Sequence, residues 1–267
     1  MKHLTIKFLI LFFVSVIIVF GFSRYAVYNG TDNPTSITAI SVAKIIIPIA
    51  GAANVKICSG TLISKSLILT ASHCFNDFIV GKEIHGFYNT NQKQVIYRYA
   101  DLQNVSVTFN SISFVPIRQQ VILIPDFQPP TAIEVAGNPD IALLRLESPI
   151  TSPSPLILSN TMMTVQSNVD VYGYGLKNSN LASRGIRRSG RTNVVDCDDD
   201  LCAKGGQIPC IGDSGGPLIR YSNAQQKSVL QGVVSFGTTE QCNGAATVHL
   251  VDVEMYYNWL TRMIDRL

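Results

Sequence analysis

Gly212-Asp213-Ser214-Gly215-Gly216-Pro217 is the stretch from which the rest of the chain can be read. A serine hydroxyl is a weak nucleophile and needs a neighbouring base, together with donors for the oxyanion that forms on attack. Glycines around it allow backbone conformations closed to other residues and let N–H groups approach a substrate carbonyl. A Gly-Ser-Gly triplet alone is an ordinary turn, whereas these six residues in this order point to a nucleophile. Working outward, short apolar and β-branched runs recur at Ile45–Ile49, Thr61–Ile63, Leu67–Thr70, Val105–Phe109, Ile141–Leu146, Val169–Tyr172, Val229–Ser235 and Ala246–Val251. Gly, Pro, Asn and Ser clusters separate most of them, the pattern of an all-β sandwich or barrel. Val105, Val107 and Phe109 alternate with Ser106 and Thr108, so that strand buries one face. A single helix is expected at the C-terminus, with Asp252 as its cap and Tyr256, Leu260, Met263, Ile264 and Leu267 on one face.

The 267 residues are 46% hydrophobic and only 15% charged, against an average of about 25% charged. A net charge of +3 is too small to make nucleic acid the main partner. Arg184, Arg187, Arg188 and Arg191 read as a solvated loop face, with contact to an anionic partner as the alternative. At the N-terminus, Lys2 and Lys7 precede an apolar run from Phe8 to Phe22, so residues 1–26 read as an export signal. Arg24 spoils a small-x-small cleavage site before Val27, which leaves an uncleaved signal anchor as the alternative and as the one route to a membrane. Six cysteines in an exported chain point to an oxidising, extracytoplasmic compartment, and fifteen pairings are open to them. No cysteine–histidine spacing suits a metal, and no cofactor is expected.

Two further motifs stand upstream of the serine: Thr70-Ala71-Ser72-His73-Cys74 and Asp140-Ile141-Ala142-Leu143-Leu144-Arg145-Leu146. With the serine stretch they resemble the trypsin/chymotrypsin family of serine proteases, in its order of His, Asp and Ser. The resemblance runs from about Val27 to Leu267. It implies two six-stranded antiparallel β-barrels packed face to face with a C-terminal α-helix, the halves being approximately 27–150 and 151–267. It implies Ser214 as nucleophile, His73 as general base and Asp140 as the carboxylate that holds the imidazole. The Gly212 and Ser214 N–H groups would form the oxyanion hole, and Asp213 would pair with a new N-terminus released from a zymogen. Ser235-Phe236-Gly237 resembles the substrate-binding strand. The family's disulfides suggest Cys58–Cys74 and Cys210–Cys242, which leaves Cys197–Cys202. His3, His85 and His249 have no such context.

Two departures from the family pattern bear on function. Ile208 falls where a trypsin-like pocket carries aspartate, and Val248, or Thr247 if the alignment slips by one, where a glycine is usual, so small or medium apolar residues are expected before the scissile bond. The activation sequence is irregular, with Val27-Tyr28-Asn29-Gly30 its nearest match. The expected function is a monomeric serine endopeptidase acting on protein or peptide substrates. The alternative is a catalytically silent binding module on the same fold.

Overall fold

A computed structural model of the chain describes residues 27–28, 30–49, 54–86, 93–99, 105–109, 112–123, 134–135, 138–177, 184–197, 200–238 and 246–267. The expected export signal at 1–26 and Cys242 lie outside the described residues. A two-residue strand β1 (Thr31–Asp32) and a one-turn helix α1 (Ile37–Ile40) lead into the first sheet. It contains β2 (Val42–Pro48), β3 (Val55–Leu62), β4 (Leu67–Thr70), β5 (Ile79–Gly86), β6 (Lys93–Tyr99), β7 (Ser106–Phe109) and β8 (Ile112–Leu123). A short pair, β9 (Glu134–Val135) and β10 (Asn138–Pro139), precedes its last strand, β11 (Ala142–Leu146).

Neighbours in the first sheet run β11-β4-β3-β2-β7-β8, and β8 meets β11 again at Leu123↔Leu143. Six antiparallel strands thereby curl into a barrel, with β6 and β5 extending from β8. The alternation expected at Val105, Val107 and Phe109 is present: all three are buried, with Ser106 and Thr108 between them only partly so. They pack with Ile45 and Ile47 of β2 and Leu144 and Leu146 of β11.

The second sheet comprises β12 (Ile157–Leu158), β13 (Asn168–Gly173), β14 (Arg188–Cys197), β15 (Asp200–Lys204), β16 (Pro217–Ser222), β17 (Lys227–Gly237) and β18 (Thr247–Asp252). Its order β14-β13-β16-β17-β18-β15 closes through β14–β15 pairing, and β12 adds to β17 in parallel. A shared apolar cluster joins Leu67, Leu69 and Leu143 of the first sheet to Tyr172, Leu230 and Val251 of the second. Helix α2 (Tyr257–Arg266) packs Trp259, Leu260 and Met263 into this same cluster. The fold is therefore the expected pair of antiparallel barrels with a C-terminal helix.

Three local expectations are corrected. Asp252 Oδ1 accepts the Glu254 N–H at 3.0 Å, so it caps a short 3₁₀ turn at Glu254–Tyr256 and not α2, which starts at Tyr257. Arg187 and Arg188 are no solvated face, being 2% and 1% exposed. A buried guanidinium needs partners, and β1 supplies one, since Asp32 pairs with Arg188 in register and takes its Nε–H at 3.0 Å. Arg188 Nη1 also donates to Gly175 O at 2.8 Å, and Arg187 Nη2 to Pro34 O at 2.6 Å. Finally, Cys197 and Cys202 carry free thiols. Register places Cys197 opposite Asp200 and Cys202 opposite Val195, so the two cysteines are diagonal neighbours. Their side chains are in contact, with no bond between the two sulfurs. Burial, with the Cys197 sulfur alongside, pushes the Cys202 thiol well above its ordinary value.

Candidate active site

Pairing of β11 with β4 sets Ala142 against Thr70. Continuing that antiparallel register by two residues brings Asp140 to Ser72 and His73, across 67 residues of sequence in the case of the histidine. His73 sits in a 3₁₀ segment, Ser72–Phe78, held to β3 by the Cys58–Cys74 disulfide. Asp140 is fully buried and its two oxygens are well supplied with donors. Oδ1 accepts the His73 N–H at 2.9 Å and the Ser72 hydroxyl at 3.2 Å. Oδ2 faces His73 Nδ1 at 2.9 Å and accepts the Ser235 hydroxyl. Burial alone would raise this carboxyl; the His73 contacts and the Ser235 hydroxyl outweigh it and hold Asp140 below 3.8. An ionised carboxylate only accepts, so the imidazole proton belongs on Nδ1 and Nε2 keeps its lone pair.

Ser214 reaches the same place from the second barrel. It precedes β16 in a loop pinned by three backbone bonds: Ser59 N–H to Ser214 O at 2.8 Å, Gly215 N–H to Val234 O at 2.7 Å and Gly216 N–H to Asp213 O at 2.8 Å. Gly215 has φ +82°, and a Cβ there would lie 2.1 Å from Thr70 Oγ1 and 2.3 Å from Ser59 O. The glycine is thus required by backbone conformation and by the approach of the two barrels. Gly212 has φ +98° and its carbonyl accepts the Ser59 hydroxyl at 2.9 Å.

Asp213 is fully buried beneath this loop. Its carboxylate accepts the Gly175 N–H at 2.7 Å and the Cys210 N–H at 2.8 Å. Burial nevertheless pushes it up to about 6, with Arg188 and the two N–H groups offsetting part of the cost. Cys210 is disulfide-bonded. Val27 is buried among Met163, Val169, Val171 and Val194, and the Tyr28 N–H donates to Ile208 O at 3.0 Å.

One cleft of about 340 Å³ is lined by His73, Gly212 and Ser214 together. Ser235, Phe236, Gly237 and Val248 lie on its wall, with Pro209 and Ala246. Ile208 is fully buried and does not reach the lining. Phe236 is stacked on His249 at 4.4 Å between ring centres, and His249 Nδ1 lies 3.3 Å from Asp200 Oδ2. Sequence reading missed the hydroxyls of Ser72 and Ser235 on Asp140, although both residues fall inside motifs it had singled out. It also missed Lys56 on the cleft lining, for which no local signal exists, and it noted Arg184 only as part of a basic cluster, not as a lining residue. Among the described residues, no group of three or more His, Cys, Asp or Glu could hold a metal.

The family model described as Trypsin matches residues 41–260. The chain is 26% identical over 228 residues to venom plasminogen activator Haly-PA of Gloydius brevicauda, covering 78% of each protein. It is 26% identical over 231 residues to chymotrypsin-like elastase family member 1 of Rattus norvegicus, again covering 78% of each. With ovochymase of Halocynthia roretzi it shares 27% identity over 225 residues, 76% of this chain but 13% of that protein.

Proposed function

The chain belongs to the trypsin family of serine proteases, and on that premise we propose that it is an exported serine endopeptidase with an apolar primary pocket. The observation that carries this reading is the buried Asp140 bonded to His73 Nδ1, with His73 and Ser214 facing one cleft. His73 Nε2 takes the Ser214 proton as Oγ attacks the scissile carbonyl, and later gives it to the leaving amine. Asp140 fixes the tautomer and stabilises the imidazolium. The Gly212 and Ser214 N–H groups receive the oxyanion, each worth about 3–4 kcal/mol in such sites. Water then releases the acyl group by the same steps in reverse.

Support for the apolar pocket is the lining by Pro209, Ala246 and Val248, with no carboxylate among the described residues of the lining to pair with a basic side chain. Support for Val27 as the mature N-terminus is its burial in the second barrel and the Tyr28–Ile208 bond, six residues ahead of the nucleophile. A freed Val27 ammonium would then supply the cation that Asp213 lacks. The test is a fluorophosphonate probe applied to the exported protein, followed by N-terminal sequencing of the labelled band. Labelling that vanishes in Ser214→Ala, on a chain starting at Val27, is the expected result. An exported protein that takes no label is a binding module, and efficient cleavage after arginine in a peptide library refutes the apolar pocket.

A further inference from the structure

The two walls of the cleft differ in character. On one side, Phe236 and Val248 present an apolar surface to the residue that becomes the acyl group. On the other, the start of β3 gathers two cations. Lys56 Nζ donates to His73 O at 3.1 Å, and Arg184 Nη1 donates to Val55 O at 3.3 Å. Both side chains line the cleft, and no Asp or Glu does so among the described residues. The start of β3 also borders the nucleophile loop. Ile57 O lies 3.5 Å from where a Cβ on Gly212 would stand, and the Ser59 hydroxyl bonds Gly212 O.

Direction along the substrate follows from the chemistry. The acyl half stays on Ser214, while His73 delivers its proton to the departing amine. Residues leaving with that amine therefore pass on the His73 side, along the start of β3. We propose that Lys56 and Arg184 form a cationic subsite for an acidic residue within the first three positions after the scissile bond. The proposal rests on the endopeptidase reading for its direction and not for its charge. Arg184 fits the role further. Its Nε is buried with no hydrogen-bond partner among the described residues, and burial lowers its pKa with no carboxylate to oppose the shift. A substrate carboxylate would restore both the bond and the charge balance, and a guanidinium fork suits it.

The test uses fluorophosphonate-labelling enzyme and quenched peptides identical before the scissile bond, with Glu, Gln or Lys at the second position after it. At low ionic strength kcat/KM should fall in the order Glu, Gln, Lys, with Glu about tenfold above Lys, as two partly exposed ion pairs would give. In about 0.5 M salt the ratio should shrink severalfold. Arg184→Gln and Lys56→Gln should each cut the ratio to about threefold; because it is taken within one enzyme, altered folding or turnover cancels. A wild-type ratio of one, or a ratio unchanged in both variants, overturns the subsite. Failure of the protease reading shows separately as absent labelling. In that case the affinities of the same peptides for Ser214→Ala, read by fluorescence anisotropy, decide the subsite by the same order.

Discussion

Asp213→Asn in the uncleaved chain should change the dependence of stability on pH, and the structure gives the size of the change. Asp213 is fully buried, and its carboxyl is pushed from 3.8 to about 6. The folded chain therefore holds a proton that the unfolded chain releases between those values. Stability from this group is complete below pH ~3.8 and is lost as pH rises through about 6. The displacement is worth ~3 kcal/mol. Asparagine can accept one of the two N–H groups from Gly175 and Cys210 but must face the other with its own NH₂, costing ~1–3 kcal/mol at every pH. The variant should then be less stable than its parent at pH 4 and roughly equal or better at pH 8, a relative swing of ~3 kcal/mol. Urea unfolding in a Ser214→Ala background, followed by fluorescence of the single tryptophan, reads this directly; Trp259 is buried in the cluster between the barrels. Asp252, also raised to about 6, contributes to both proteins and drops out of the difference. Parallel pH profiles for parent and variant would refute the reasoning. Cleavage before Val27 should flatten the parent's profile, since an ammonium at Asp213 keeps the carboxylate ionised.

Three other perturbations follow from the site's geometry. Ser235→Ala removes a hydroxyl from Asp140 while leaving His73 Nδ1 in place; about fivefold should be lost from kcat with KM little changed, the effect of roughly 1 kcal/mol of lost positioning, and steady-state kinetics giving a change in KM alone would exclude it. Gly215→Ala should cost ~3 kcal/mol or more, because it combines positive φ with contacts of 2.1 and 2.3 Å to atoms held by the Thr70–Ser59 bond. Gly205→Ala is its control, since nothing lies within 4 Å at φ +75°; the loss there should be only ~1–2 kcal/mol, both read as shifts in urea midpoint. Replacing Cys58 and Cys74 by alanine opens a cross-link of separation 16 and should cost ~3 kcal/mol, measured the same way.

How much could be read in advance depended on how local each determinant is. The three motifs around His73, Asp140 and Ser214 were legible because their flanking residues have their own physical reasons. Thr70 and Ala142 must pair, Gly215 must lack a side chain, and Cys74 must reach Cys58. The barrels were legible for the same reason, because alternation within a strand such as β7 reports burial directly. The errors share the opposite property. Arg188 was taken for a surface residue because the partner that buries it, Asp32, is 156 residues away on a strand of two residues. Cys197 and Cys202 were paired by elimination, and the hairpin sets them diagonally, two residues out of register, with their thiols free.

The same contrast separates the catalytic apparatus from its control. Ser72 and Ser235 approach Asp140 from opposite barrels, so the carboxylate that orients His73 is completed only when the barrels dock. Asp213, in turn, is held through Gly175, whose carbonyl is held by Arg188, which is tied to Asp32 near the start of the described chain. A disturbance at the N-terminal segment can therefore reach the nucleophile loop through three named contacts without touching the triad. On this route, the irregular start at Val27 does not weaken the catalytic reading. On the proposed endopeptidase reading, the strand beside Arg188 would govern the step from idle to active chain, and Asp32→Ala should lower the labelling rate while the His73–Asp140 bond persists as a downfield Nδ1 proton resonance. Loss of that resonance together with labelling would mean that the triad itself had been disrupted, and the coupling argument would fall.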